Sequence, residues 1–286
     1  MTSIVYVNGH FVPEADAHLS PLDRGFSLAD GLFETMVASE GRIFRLKDHL
    51  TRLQQGADVL YIQLPPTEEL AHVIRESLRY NGLPHSVVRL TVTRGIDPGR
   101  GLDVTPGIAP SVVVRVMPWH GPLDSLPQGR RLVLSHIRRD NFSPLASVKS
   151  LSYVEGVVAR LEAHRVGADD ALVCNTQGSL TGATSSNVFA VMEGKLVTPP
   201  EGDGSLPGIA RRTVLEEAGR SGVPIEEISL MPAGIAEAGE VFLTNVVTGI
   251  VPVVSLFGTL VGPGRPGPVT EQLASVYWSR VGVELS

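Results

Sequence analysis

The stretch Pro144-Leu-Ala-Ser-Val-Lys149-Ser-Leu-Ser-Tyr153 sets a single lysine among small and apolar residues. Lysine is scarce in this chain: Lys47, Lys149 and Lys195 are the only ones in 286 residues, and the other cations are arginines. A lysine that condenses with a carbonyl must release its proton easily, and desolvation among small or apolar neighbours favours that. Lys47 stands among Arg45, Asp48 and His49, on what should be a wet helix face. Lys195 follows Glu193-Gly194 in a hairpin turn, also wet. Lys149 lies between a strand and a helix, where a side chain can point into a cleft. The plain alternative is a solvated lysine at a helix start.

Upstream of this stretch, Ile4–Val7 and His10–Val12 flank Asn8-Gly9, and Leu32–Ser39 and Arg42–Arg45 flank Glu40-Gly41, two hairpin patterns. Leu46, Leu50, Leu53, Ala57 and Leu60 recur at helical spacing. A second helix, with Thr67 as its cap and Leu70, Val73, Ile74 and Leu78 on one side, ends at Asn81-Gly82. Ser86–Thr93 and Ser111–Met117 read as strands. This order predicts an α+β domain over 1–118, and the Pro- and Gly-rich segment 119–129 reads as a linker. An α/β domain over 130–286 then begins with a strand at Arg131–Arg138. A helix over Leu151–Val166 carries Leu151, Val154, Val158 and Leu161 on its apolar stripe. Strands at Asp170–Asn175, Asn187–Met192, Lys195–Thr198, Glu240–Thr244 and Gly249–Leu256 are interleaved with helices over Ile209–Ser221 and Val269–Val281.

Composition bounds the function classes. Hydrophobic residues make up 43% and charged residues 19%, a globular balance. A net charge of -6 argues against nucleic-acid binding, since Arg138–Arg139 and Arg211–Arg212 are isolated pairs rather than a basic patch. The single cysteine, Cys174, excludes an internal disulfide and a multi-cysteine zinc site, and no other metal site is evident. The N-terminus lacks the features of a signal peptide, and no apolar run is long enough to span a bilayer, so a cytoplasmic location is expected.

Two segments suit an anion. Gly204-Ser-Leu206-Pro-Gly208-Ile209-Ala210-Arg211 enters a helix, whose first amides favour a phosphate; an ordinary Pro-Gly turn is the alternative. Thr244-Asn-Val246-Val247-Thr-Gly249 breaks two apolar strands, or is simply a loop. Arg52, on the first predicted helix, can add a charged fork or be a solvated helix residue.

Taken together and in this order, these segments resemble the fold-type IV pyridoxal-phosphate (PLP) enzymes, the class IV aminotransferases that include branched-chain and D-amino acid aminotransferases and aminodeoxychorismate lyase. The resemblance spans nearly the whole chain. It is carried by Asp23-Arg-Gly-Phe-Ser-Leu28-Ala-Asp-Gly-Leu-Phe33-Glu-Thr35, His49-Leu-Thr-Arg52-Leu, Lys149-Ser-Leu-Ser-Tyr153, Ser205-Leu-Pro-Gly-Ile-Ala-Arg211 and Thr244-Asn-Val-Val-Thr-Gly-Ile-Val-Pro-Val253. It implies a two-domain chain with PLP in the interdomain cleft, and a homodimer whose partner contributes to each site. Lys149 would form the Schiff base, Tyr153 would lie near the ring oxygen, and Arg52 with Leu206, Gly208, Ile209, Ala210, Val246 and Val247 would hold the phosphate. Arg100, Arg94, Leu28 and Phe33 would meet substrate, with Arg100 preferred over Arg94 for a carboxylate. Thr35 occupies the position of a threonine implicated in lyase chemistry, and the Arg94–Leu102 segment and Thr244-Asn245 also lean toward the lyase.

Departures from the family pattern are informative. Relatives carry a glutamate five residues before the asparagine of the Asn-Val-Phe segment, paired with the pyridine nitrogen; here Gly182 precedes Asn187 at that distance. Without that anion the ring nitrogen should have a lower pKa and the cofactor should be a weaker electron sink, unless Thr181, Thr184, Ser185 or a water substitutes. Val246 and Ala210 lack the hydroxyls common at their positions, which leaves the phosphate to amides, Arg52 and Thr248. Leu28 stands where relatives carry a tyrosine. The functions implied are an aminotransferase acting on an amino acid or amine and a 2-oxo acid, an aminodeoxychorismate lyase making 4-aminobenzoate and pyruvate, or a PLP-binding member with weak turnover.

Overall fold

The structure, a computed structural model, describes residues 3–99, 101–120 and 126–285. The chain forms two compact units. In the first, β1 (Ile4–Val7) and β2 (His10–Pro13) make a hairpin through Asn8-Gly9, both at positive φ. A short helix α1 (Arg24–Leu28) leads to β3 (Gly31–Ser39) and β4 (Arg42–Ile43). Helices α2 (Leu46–Leu60) and α3 (Thr67–Asn81) precede β5 (His85–Thr93) and β6 (Ser111–Pro118). The strands form one antiparallel sheet in the order β2-β1-β6-β5-β3-β4. Leu32, Met36, Ala38, Val88, Leu90, Val92, Val112, Val114 and Val116 pack from one face of it against α2 and α3, as strict alternation along each strand requires. Thr67 does not cap α3. It is the first helical residue, and Pro66 holds the cap position without a side-chain bond.

Residues Val148–Ser152 belong to this unit although they lie far along the chain. The Phe33 amide donates to the Lys149 carbonyl (3.0 Å) and the Leu151 amide to the Gly31 carbonyl (2.9 Å), so the segment pairs with the edge of β3 that β4 leaves uncovered. Leu151 therefore does not open the following helix, which begins at Val154.

The second unit holds β7 (Arg130–Arg139), α4 (Val154–Arg165), β8 (Asp170–Asn175), β9 (Leu180–Ala183), β10 (Asn187–Met192), β11 (Lys195–Thr198), α5 (Ile209–Arg220), β12 (Ile225–Glu227), α6 (Pro232–Ala236), β13 (Glu240–Asn245), β14 (Gly249–Leu256), β15 (Thr259–Leu260) and most of α7 (Pro268–Leu285). Its sheet runs β12-β11-β10-β13-β14-β7-β8-β9, with β15 on β14. The apolar stripe expected on α4 faces outward: Val154 and Leu161 are exposed, and Ala159 and Ala163 are the buried residues. Small side chains let the helix approach β7 and β8 closely, with Ala171 and Val173 beneath it. The branched residues are left on the far side.

Candidate active site

In the first unit, β3 sends alternate residues to opposite faces. Phe33 and Thr35 share a face with Arg89 and Thr91 of β5, their cross-strand partners. The Phe33 ring is buried, with the Arg89 guanidinium carbon 3.8 Å and Lys149 Nζ 4.3 Å from its centroid. Cations close to an aromatic face are attracted by its quadrupole. Lys149 is thus partly buried on an aromatic surface, whereas Lys47 is exposed and Lys195 is held by Glu226 at 2.6 Å.

On the other face of β3, Glu34 lies within the core beneath α2 and is fully buried. One carboxylate oxygen accepts from Arg52 Nε at 2.8 Å. The other accepts from Arg52 Nη2 at 2.7 Å and pairs with His49 Nδ1 at 2.6 Å. Burial pushes the Glu34 carboxyl up, but His49 and Arg52 outweigh it and hold it down at about 2. Burial, helped by the nearby cations Arg52 and Lys149, pushes His49 below its ordinary value against the pull of Glu34. No role for Glu34, His49 or Arg89 follows from sequence pattern alone. The available signal was Glu34 itself, an acid on the same side of the strand as Leu32, Met36 and Ala38.

In the second unit, α5 starts at Gly208 without a side-chain cap. Asn187 of β10 reaches across and donates to Ser205 Oγ (3.0 Å) and the Leu206 carbonyl (2.9 Å), fixing the approach to the helix. A Cβ on Gly208 would lie 2.1 Å from Asn187 Oδ1, so this turn admits no side chain. Thr244, which pairs with Asn187 across the sheet, has a buried hydroxyl with no hydrogen-bond partner, and so does Thr248. An open helix N-terminus and a side-chain-free turn, joined through Asn187 to the strand that carries the unpartnered Thr244 hydroxyl, have the chemistry of a phosphate cradle.

A family model described as amino-transferase class IV matches residues 31–256. The chain belongs to this family. It is 35% identical over 273 residues to a Methanocaldococcus jannaschii protein provisionally named a branched-chain-amino-acid aminotransferase, covering 94% of this chain and 93% of the other. It is 30% identical over 271 residues to the D-alanine aminotransferase of Staphylococcus haemolyticus, covering 94% of each. The branched-chain aminotransferase of Thermoproteus uzoniensis, solved with norvaline, superposes at a TM-score of 0.90 with 29% identity, over 99% of this chain and 96% of that one. The fold is that of the fold-type IV enzymes, and the chain is a pyridoxal-phosphate-dependent aminotransferase.

The other residues expected at the site of this class IV aminotransferase have varied settings. Arg94 is held in the first unit: it donates to both oxygens of Asp30 (2.7 and 2.9 Å) and to the Leu60 and Tyr61 carbonyls at the end of α2. The Val247 and Thr248 amides both donate to Asn245 Oδ1 at 3.0 Å. The Asn245 side chain takes up these amides in an Asx-type turn. Leu28 is an exposed residue at the end of α1. Arg100 lies outside the described residues. Tyr153 is partly buried at the N-cap of α4.

Around Gly182, the Thr181 hydroxyl donates to the Val173 carbonyl (3.1 Å) and the Thr184 hydroxyl to Asp170 (2.7 Å). Each hydroxyl has one proton, and both are spent, so neither threonine can donate to a ring nitrogen. Gly182 itself sits at φ 148°, where a Cβ would lie 2.7 Å from the Ser186 carbonyl.

Proposed function

We propose that this chain transfers an amino group between an amino acid and a 2-oxo acid on pyridoxal phosphate, with Lys149 as the amine that carries the cofactor. The observation that carries this reading is the setting of Lys149: of the three lysines it alone lies on an aromatic ring, partly buried. The α5 start, Gly208 and the unpartnered hydroxyls of Thr244 and Thr248 fit the phosphate. When bound, the cofactor supplies an aldehyde for amine exchange and a ring that withdraws electrons. The protein's own part is to hold that ring, to keep water from the reacting carbon and to move the Cα proton at Lys149 Nζ. Arg52, held by Glu34 through Nε and Nη2, brings a guanidinium suited to an anionic group. Thr35 and Phe33 line the sheet face beside Lys149, and Arg89 of the same face brings a cation suited to a carboxylate.

A homodimer is part of the same proposal. The exposed row of Val154, Val157, Val158 and Leu161 on α4 is the kind of contiguous apolar surface that association covers.

An absorbance spectrum with added pyridoxal phosphate tests the assignment. The wild type should develop the imine band and Lys149→Ala should not; a band retained in the variant refutes the role of Lys149. A panel of L- and D-amino acids should convert the bound cofactor to its pyridoxamine form, and the responding enantiomer sets the stereochemical preference. Pyruvate release from aminodeoxychorismate without that conversion would select the lyase instead.

A further inference from the structure

The buried trio on α2 and β3 leaves one polar atom without a partner. His49 Nδ1 pairs with Glu34, but its other ring nitrogen, Nε2, is buried with no hydrogen-bond partner. A buried polar atom of this kind carries an unanswered desolvation cost, which marks a strained or functional position. The chemistry of this nitrogen is set by its surroundings. Glu34 is ionised, so it accepts a hydrogen bond from Nδ1–H. Burial keeps the ring neutral. The neutral tautomer with its hydrogen on Nδ1 has a bare lone pair on Nε2, an acceptor and not a donor.

A donor is close by. Three charged groups act on His49: Glu34 from β3, Arg52 from α2 itself, and Lys149 from the segment paired to the edge of β3. Glu34 and Arg52 are already engaged with each other. The Lys149 backbone is fixed to β3 through Phe33, and Val148 packs on α2, where a Cβ on Gly56 would come within 3.3 Å of it. The lysine is therefore anchored between the strand that carries Glu34 and the helix that carries His49. Its charge bears on the histidine.

We propose that His49 is the positioning residue for Lys149. Its bare Nε2 accepts a hydrogen bond from the protonated lysine amine whenever that amine is not condensed, and Glu34 holds the histidine in the tautomer that makes this possible. This rests on Lys149 being the reactive amine. It adds that the amine, once it has taken the substrate proton, donates a hydrogen bond to a neutral acceptor. No proton passes to His49, so its charge is unchanged throughout.

Two substitutions separate the ring nitrogens. His49→Asn keeps an N–H toward Glu34 and removes the acceptor at the Nε2 position; His49→Gln places an amide oxygen near that position. The readout is acetylation of Lys149 in the cofactor-free protein at fixed pH, followed by peptide mass spectrometry with Lys47 and Lys195 as internal standards. Loss of an acceptor to a charged donor should speed Lys149 acetylation by about tenfold in His49→Asn, leave the two standards unchanged, and be largely reversed in His49→Gln. An unchanged Lys149 rate in folded His49→Asn, or equal changes in both variants, would overturn the proposal. If His49→Asn does not fold, nitrogen NMR of histidine-labelled protein decides it: the His49 Nε2 resonance should move toward that of an unbonded lone pair in Lys149→Met. No movement counts against the proposal. Because neither readout needs the cofactor, its failure is separable from a failure of the imine test on Lys149→Ala.

Discussion

Replacing Glu34 by glutamine removes the charge at the centre of the α2–β3 cluster while keeping the shape of the side chain. The folded carboxyl sits at about 2 against an ordinary value of 4.5, a gap that corresponds to about 3 kcal/mol of stability at neutral pH. Removing one partner of a buried ion pair typically costs ~3–5 kcal/mol, because the other charge is left buried; here that charge belongs to Arg52, itself buried. The sign of the pH dependence follows from the lowered carboxyl. Its contribution is complete above 4.5 and is lost as the pH falls toward 2. By pH 3 about half should remain. Native-state hydrogen exchange of the β3 and α2 amides measures this locally and does not require the two units to unfold together. Glu34→Gln should lower protection there by about 3 kcal/mol at pH 7 and by about half that at pH 3. A loss under about 1 kcal/mol at pH 7, or one as large at pH 3 as at pH 7, would refute the reasoning, since the pair would then not be the source of the lowered carboxyl.

Further outcomes follow from the same geometry. Arg94→Met should cost about 1–3 kcal/mol by leaving Asp30 with Arg24 as its remaining arginine and the α2 carbonyls without their donor, yet leave the substrate KM unchanged; a raised KM with unchanged stability would place Arg94 at the substrate. His49 takes up no proton on folding at neutral pH, whereas the unfolded chain protonates it near 6.5. Stability should therefore decline as the pH drops below that value, and His49→Gln should flatten this decline in urea titrations. Gly208→Ala must displace Asn187 from Ser205 and Leu206, and should weaken pyridoxal-phosphate affinity by about tenfold in fluorescence titration. Gly182→Glu should lose about 1–3 kcal/mol to backbone strain in thermal melts rather than restore a ring-nitrogen partner. Leu161→Asp should shift sedimentation toward the monomer if the α4 surface is the contact between subunits.

Much of this fold is legible in local patterning. The amphipathic repeats of α2 and α3 and the alternation along β3 and β5 each bury one face, and that constraint acts within a dozen residues of chain. The Asn8-Gly9 and Glu40-Gly41 turns are equally local, because their positive φ angles call for such residues. The α4 stripe misled for the opposite reason. Periodicity states that a helix has two faces, but not which face a sheet will accept, and alanines were chosen where close approach mattered.

The candidate site divides in the same way. Scarcity and small neighbours singled out Lys149, and a Gly-containing helix entry singled out Gly208; both are properties of a few consecutive residues. Pairing decided the rest. That Lys149 is fixed to β3, across more than a hundred residues of chain, depends on which strand edge β4 leaves open. That Arg94 is consumed by Asp30 and the end of α2, while Arg52 is steered by Glu34, depends on which carboxylates the fold brings within about 3 Å of each guanidinium. Residue type and spacing determine which groups this chain possesses. Hydrogen-bond competition in the packed state, where each donor is used once and each buried charge needs an answer, decides which of them are left for chemistry.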